Sequence, residues 1–187
     1  MRRIVLLAVW GCVILLTLGG ASRIVAGQAP PGEYEVKAAF VYNILKFVEW
    51  PSYIVTDADS IHICVAGDVP MSAPFDDLDG QAVMGKKMTV RYLTTLADVR
   101  ECHVLFIASS EEWRLSRIMN ALKGASTLTV GDTEGFAQRG VVVNFYMEQK
   151  RVRFEINAEA ARQAGLKISA KLLKLAGMVF GATPAGD

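Results

Sequence analysis

The sequence predicts an α/β fold: a single compact domain whose mixed β-sheet is flanked by helices, with a C-terminal β-hairpin followed by short helices. Strand-like apolar or alternating runs are mixed along the chain with segments of helical spacing. One run, "CHVLFIAS" at 102–109, is continuously apolar, which is typical of a strand buried on both faces. "GVVVNFYM" at 140–147 and "KRVRFEIN" at 150–157 are separated only by "EQ", which predicts an antiparallel hairpin.

The elements follow one another in a simple order. Residues 34–50 have helical spacing, and Pro51 ends the helix because the residue before a proline is disfavoured in the α region. Further strands are expected at 60–68, 87–93 and 127–132, and further helices at 109–124, 158–165 and 168–177. Residues 178–187 are expected to form a flexible C-terminal tail.

The composition narrows the class of protein. The chain has 187 residues, of which 52% are hydrophobic and 21% charged, as in a one-domain globular protein. Its formal net charge of +1 argues against a dedicated nucleic-acid binder, which would normally carry a basic stripe. We therefore expect no nucleic-acid partner.

The first 29 residues have the layout of a secretory signal peptide: a basic start, an apolar run over 4–18, and then small residues. Cleavage after Ala29 or after Ala21 would fit the preference for small residues. The apolar run is short for a membrane-spanning helix, which needs about 20 residues, although an uncleaved anchor is the alternative. We expect a periplasmic mature protein.

The helix at 34–50 has an unusually wide apolar face. Asn43, Lys46 and Glu49 form one narrow polar stripe, so the apolar arc covers roughly 200° instead of the usual 100° or so. Part of the arc must cover the sheet, and the remainder needs either the C-terminal helices or another protein chain. Aromatic side chains at the helix exit are favoured interface anchors. The candidate partner-binding residues are Phe40, Ile44, Phe47, Trp50 and Tyr53; the alternative is that all of them are core.

Two cysteines, Cys64 and Cys102, remain once Cys12 is removed with the signal peptide. An even count in an exported chain favours a disulfide over two free buried thiols. A zinc site is the third possibility, because His62 and His103 each lie beside a cysteine and Cys2His2 is a recognised zinc set. Strand alternation argues against it, since adjacent residues on a strand point to opposite faces. We expect no bound metal.

No catalytic set is evident in the sequence. Ser109 fits better as the N-cap of a helix, with Glu112 completing a capping box, than as a nucleophile, because no G-x-S-x-G motif surrounds it. The acidic run at 76–79 lacks the first ligand and the closing Glu of a calcium loop. We therefore expect a protein that is not an enzyme and uses no cofactor.

Several stretches together resemble the YfiR family of periplasmic proteins. They are "EYEVKAAFVYNILKFVEWP", "HICVAGD", "CHVLFIAS", "GFAQRGVVVNFYMEQKRVRFEIN" and "AARQAGLKISAKLLKLA". The resemblance covers residues 33–177 and is most specific at its two ends. It places one YfiR-like domain between the signal peptide and the tail.

The resemblance implies a regulator rather than a catalyst. It implies a protein that binds and represses the periplasmic sensory domain of an inner-membrane diguanylate cyclase, and so lowers cyclic di-GMP output, with effects on biofilm and motility. It further implies a homodimer, sequestration by an outer-membrane, peptidoglycan-associated lipoprotein, and a disulfide between Cys64 and Cys102. A second cysteine pair found in the family is missing, because residues 140–157 contain no cysteine.

A small-ligand-binding protein is the alternative function. Gly67-Asp68 and Gly131-Asp132 each end a predicted strand, where α/β folds often bind ligands. They would form the pocket of a single-lobe periplasmic module that serves a sensor or a transporter.

Overall fold

A mixed β-sheet organises the domain, with eight strands among the residues that the structure describes. The structure is a computed structural model, and it describes residues 32–55, 59–69 and 73–181. These belong to one compact unit spanning 31–187. The predicted signal peptide at 1–29 lies outside the described residues. Among the described residues, no helix combines the length and apolar character needed to cross a membrane.

The helices and strands alternate along most of the chain. The strands are β1 (Val48–Glu49), β2 (Ser60–Ala66), β3 (Ala82–Val83), β4 (Lys86–Leu93), β5 (Val104–Ile107), β6 (Leu128–Gly131), β7 (Val143–Glu148), β8 (Arg151–Asn157), β9 (Lys167–Ile168) and β10 (Met178–Phe180). The α-helices are α1 (Glu33–Leu45), α2 (Ser52–Val55), α3 (Ala73–Asp76), α4 (Leu115–Ala121), α5 (Ala158–Gln163) and α6 (Ala170–Leu175), and 3₁₀-helices span Val99–Glu101 and Ser109–Arg114.

The order of strands across the main sheet is β10-β8-β7-β6-β5-β2-β4-β3. The central strands, from β4 to β7, are parallel to one another, whereas β8 is antiparallel to β7 and β3 is antiparallel to β4. Strands β1 and β9 form a separate antiparallel pair. The predicted α/β domain, with a mixed sheet and a C-terminal hairpin followed by short helices, is confirmed.

The central strands are buried on both faces. Ile63 and Phe106 point into one apolar cluster, and their neighbours Cys64 and Leu105 point into another. Helix α1 covers the first face with Ala38, Val41, Ile44 and Leu45, and helix α4 covers the second with Leu115 and Ile118. The continuous apolar run at 102–109 therefore corresponds to a strand with a cover on each side.

Helix α1 is shorter than its sequence predicts. It ends at Leu45, and the next residues turn: the Phe47 N–H donates to the Ile44 carbonyl at 2.9 Å. Val48 and Glu49 then pair with Ile168 and Lys167 of β9. The prediction of a helix up to residue 50 is wrong because this long-range pairing satisfies the backbone in an extended conformation.

Two further segments differ from prediction. The segment predicted as a helix at 109–124 starts as the 3₁₀-helix at Ser109–Arg114, and only Leu115–Ala121 is α-helical. Residues 178–180, which the sequence predicts to begin the flexible tail, form β10 alongside β8. Residues 182–187 lie outside the described part of the chain.

The predicted disulfide between Cys64 and Cys102 is confirmed. It joins β2 to the residue that leads into β5, across 38 positions of sequence, and both side chains are buried. Closing a loop of this length restricts the unfolded chain by roughly 4 kcal/mol on entropic grounds. The bridge therefore fixes two neighbouring central strands.

The hairpin between β7 and β8 offers a test of the backbone geometry. Its turn residues Gln149 and Lys150 have φ of 49° and 62°, so both are left-handed, and the turn lies one residue later than its sequence predicts. Asn-Gly is the preferred pair for such a turn. We expect Gln149→Asn combined with Lys150→Gly to raise the free energy of unfolding by about 1 kcal/mol, measured by urea denaturation. Placing Val at both positions should lower it, and a lower value for the Asn-Gly variant would contradict the geometry.

Candidate functional site

Two of the five predicted partner-binding residues are inside the protein. Ile44 is 2% exposed and Trp50 is 9% exposed, and both belong to the apolar cluster under α1. An apolar residue at helical spacing and an aromatic residue at a helix exit suit a core as well as an interface, and here the domain itself buries both. Ile44 and Trp50 are therefore corrected to core residues.

The other three residues have different positions. Phe40 is half-buried, with its ring centroid 5.8 Å from those of both Phe145 and Phe154. Phe47 is also half-buried, and the Lys171 ammonium lies 5.2 Å from its ring centroid. The side chain of Tyr53 lies outside the described residues. Most of the wide apolar arc of α1 is thus covered within the domain.

The loops after the parallel strands meet at the carboxyl edge of the sheet, as parallel strands require. The Asp68 N–H after β2 donates to the Ser110 hydroxyl after β5 at 2.8 Å. Gly67 has φ of 91°, and a Cβ there would lie 2.5 Å from the Ser110 hydroxyl oxygen, so glycine permits this close approach. The predicted capping box of Ser109 and Glu112 is wrong, because Ala108 is the N-cap and no side chain caps this helix.

The 3₁₀-helix at Ser109–Arg114, here called the Trp113 ridge, carries a tryptophan whose side chain projects into solvent. Trp113 is 79% exposed, and the Arg114 guanidinium lies 5.7 Å from its ring centroid. Arg114 forms an ion pair with the buried carboxylate of Glu111. Arg139 donates to the Glu112 carbonyl at 3.2 Å and lies 3.5 Å from its carboxylate. The sequence does contain a sign that Trp113 is exposed: in "SSEEWR" this tryptophan is surrounded by polar residues.

A buried ion pair anchors the start of α1 at the same edge. Asp132, which follows β6, accepts hydrogen bonds from the Lys37 ammonium and the Tyr34 hydroxyl, each at 2.9 Å. Lys37 also contacts Glu33 at 2.6 Å. Burial, followed by the nearby charge of Asp132, raises the pKa of Tyr34 above its usual value. The Asp132 oxygen that faces α1 is thus used within the chain.

The two Gly-Asp turns of the ligand-binding alternative therefore lie in different surroundings. Gly67 and Asp68 line an open cavity of about 550 Å³ together with Tyr92, Glu111 and Arg114. The Gly131-Asp132 turn binds the N-terminal part of α1 instead. The first turn thus lies beside an open cavity that could take a ligand.

The two histidines meet at the opposite, amino edge of the parallel strands. The His62 backbone N–H donates to Nδ1 of His103 at 3.1 Å, and the two ring centroids are 5.3 Å apart. His62 Nδ1 lies 2.9 Å from an Arg91 guanidinium nitrogen. Both neighbouring cysteines are in the disulfide. Within the described parts of the chain, no group of three or more His, Cys, Asp or Glu side chains could hold a metal ion.

The mixed sheet, its helical covers and the buried disulfide define a disulfide-bonded α/β domain. A family model described as YfiR/HmsC-like matches residues 34–177, and the chain belongs to this family. The family is regulatory and periplasmic, so membership supports a periplasmic regulatory role in general. No curated protein matches the sequence.

Two solved structures are similar to this chain to different degrees. A conserved domain protein from Vibrio cholerae O1 biovar El Tor matches with a TM-score of 0.50 and 15% identity, over 81% of this chain. This chain spans 61% of the length of that protein, and the likeness shows the fold alone. A chain from Streptococcus pneumonia described as an ABC domain in complex with L-Trp has a TM-score of 0.47 and 9% identity, over 64% of this chain and 55% of its own.

The contrast between the two described tryptophans gives a stability test. We expect Trp50→Ala to lower the free energy of unfolding by about 3–5 kcal/mol, because it leaves a cavity in the core. Trp113→Ala should change it by no more than about 0.5 kcal/mol, because that side chain packs little. Urea denaturation of both variants checks this, and equal losses would contradict the burial assigned to them.

Stability should also depend on the protonation of His103. Burial, followed by the positive charge that His62, Lys86 and Arg91 can carry, lowers the pKa of His103 in the folded protein. In the unfolded chain a histidine takes up its proton near pH 6.5. As the pH falls below about 6.5, the unfolded state therefore binds more protons than the folded state, and stability falls until the lower folded pKa is reached.

We expect urea unfolding of the wild type between pH 7.5 and 5.5 to show this loss, with a slope of at most about 1.4 kcal/mol per pH unit from this one group. His103→Gln should have a shallower pH dependence, whatever its absolute stability. Identical slopes for the two proteins would show that His103 does not contribute.

Proposed function

We propose that this protein binds the periplasmic sensory domain of an inner-membrane diguanylate cyclase and represses the enzyme, thereby lowering cyclic di-GMP. The observation that carries the proposal is the YfiR/HmsC-like match over residues 34–177, which spans nearly all of the described domain. Biofilm formation and motility would be the downstream outputs. In this proposal the protein itself is not an enzyme and uses no cofactor.

Repression of this kind requires only differential binding. A repressor lowers activity by binding the inactive state of its target more tightly than the active state. To convert a population that is 99% active into one that is 99% inactive, the preference must be about 10⁴-fold. A domain whose contact residues are already held in their bound positions suits this task, because it loses little conformational entropy on binding.

Further partners belong to the same proposal. An outer-membrane, peptidoglycan-associated lipoprotein would release the cyclase by sequestering this protein. A homodimer is supported by strand β10, which ends the main sheet on one side and has Met178 52% exposed, with Leu175 of α6 59% exposed nearby in sequence. Phe40 and Phe47 keep part of their surface and remain candidate contacts, as does Tyr53.

The ligand-binding alternative is supported by the open cavity beside Gly67 and Asp68. It is weakened at its second predicted turn, because the Lys37 ammonium and the Tyr34 hydroxyl take the place that a ligand would need beside Asp132. Ligand-dependent melting of the purified protein, with no protein partner present, would favour it.

Deletion and recovery experiments test the repressor function. We expect deletion of the coding sequence in its native host to raise cellular cyclic di-GMP severalfold, because the cyclase is no longer held in its inactive state. A plasmid that carries the wild-type sequence should restore the original level. Affinity capture by the tagged mature protein from solubilised membranes should retain a diguanylate cyclase with a periplasmic domain. Unchanged cyclic di-GMP together with capture of no cyclase would refute the proposal.

A further inference from the structure

We infer that His103 holds helix α2 (Ser52–Val55) against the amino edge of the parallel strands at neutral pH and releases it in acid. The His103 latch, as we call it, consists of two hydrogen bonds of one imidazole ring, to the backbone N–H of His62 and to the backbone of Ile54. The latch is a property of this domain alone, so it goes beyond the proposed function and does not depend on the partner.

Both nitrogens of the His103 ring are engaged. The His62 backbone N–H donates to Nδ1 at 3.1 Å. The hydrogen bond to the Ile54 backbone raises the pKa of His103, which is the effect of a carbonyl that accepts a hydrogen bond from the ring. Because Nδ1 accepts, the donor is Nε2, and the ring is neutral with its proton on Nε2. A protonated ring carries a hydrogen on each nitrogen, so its Nδ1–H would face the His62 N–H and the latch could not form.

The backbone that carries the ring is fixed more firmly than α2. The His103 N–H donates to the His62 carbonyl at 3.0 Å, and the Leu128 N–H donates to the His103 carbonyl at 2.9 Å. The neighbouring Cys102 is bonded to Cys64 of β2. Helix α2, by contrast, has four residues, too few to be stable without tertiary contacts. When the ring turns away from the His62 N–H, α2 is therefore the element that moves.

The charges around the ring favour its neutral form. Burial, followed by the charge that His62 can carry, lowers the pKa of His103, and Lys86 and Arg91 of β4 add to the effect. The two histidine rings have their centroids 5.3 Å apart. The carboxylate of Glu101, a residue that lines the same cavity as the ring, pairs with Arg91 at 3.2 Å. The closed latch thus excludes the protonated ring both by hydrogen bonding and by charge.

An open cavity gives the proton a route to the ring. It has a volume of about 590 Å³, and both His103 and Ile54 line it. Arg100 also lines the cavity, and its guanidinium donates to the Ala121 and Lys123 carbonyls at 2.9 Å. His103 itself is 9% exposed, so movement of α2 would bring its ring into contact with the water of this cavity.

The size of the response follows from the proton that His103 takes up. Release of α2 returns the pKa of this histidine to its ordinary value of about 6.5. Because the closed latch excludes the proton, the released population rises by up to about tenfold between pH 7.5 and 5.5. Helix α2 contains Tyr53, a predicted partner contact, so acid alters the part of the surface to which this residue belongs.

Nuclear magnetic resonance of the two histidine rings tests the latch in the wild type. His62 and His103 are the two histidines of the chain, and His62→Gln assigns their signals. At pH 7.5 we expect the His103 proton on Nε2. On acidification, the protonation of His103 and the change in the amide signals of Ser52–Val55 should share one midpoint. A proton on Nδ1 at pH 7.5, or protonation that leaves these amides unchanged, overturns the inference.

Hydrogen exchange measures the release itself. The exchange rate of the Ile54 and Val55 amides, divided by the intrinsic rate at each pH, gives the population with α2 released. We expect this population to rise severalfold between pH 7.5 and 5.5. The amides of Val104–Ile107 in β5, which exchange when the whole domain unfolds, should stay far better protected at every pH. If the α2 amides exchange no faster than those of β5, α2 opens only by global unfolding and the inference is overturned.

A matched pair of variants identifies the sensor. His103→Gln cannot take up a proton, so the acid-induced rise in α2 exchange should disappear. His62→Gln should keep the rise, because the latch uses the backbone N–H of position 62 and not its side chain. A rise that persists in His103→Gln overturns the inference, and so does one that disappears in His62→Gln. These measurements use the protein without a partner, so no outcome bears on the repressor function.

Discussion

The fold depends on the burial of the central strands on both faces. In β5 all of the residues from Val104 to Ile107 are inaccessible to solvent, and they alternate between two apolar clusters. A strand of this kind is stable only if each face of the sheet has its own cover. Helix α1 and helix α4 provide the two covers, so the wide apolar arc of α1 is explained chiefly by the sheet beneath it and by the phenylalanines of β7 and β8.

The sequence was most informative where a single element determines its own pattern. The continuous apolar run of β5 and the alternating strands of the hairpin could both be predicted in this way. The pairing of Cys64 with Cys102 spans 38 positions, and it could be predicted for a different reason: only two cysteines follow the predicted signal peptide. The end of α1 could not, because it depends on β1 pairing with β9, which lies far along the chain. The expected capping box of Ser109 and Glu112 does not form because the helix starts one residue earlier than predicted, with Ala108 as its N-cap.

The candidate site was harder to predict than the fold. Apolar spacing is identical for a residue that packs inside its own domain and for one that packs on a second protein, so the sequence pattern does not reveal that Ile44 and Trp50 are buried. Exposure of Trp113 is a property of the assembled domain, because it depends on how the ridge is held by the loops after β2 and β6. The local sequence shows that a tryptophan is present, but it does not show which residues from other loops surround it in the folded domain.

The contacts that hold α1 against the sheet also affect the order in which the chain can fold. Tyr34 and Lys37 meet Asp132 across separations of 98 and 95 residues, and Phe40 packs on the hairpin beyond it. Contacts between residues so distant in sequence form slowly, because a long loop must close first. A chain that emerges from its N-terminus first therefore holds α1 without a cover until most of the sheet has followed. During that interval the apolar face of α1 is exposed, and a chain that lacks the hairpin would keep Phe40 without its cover and be prone to aggregation.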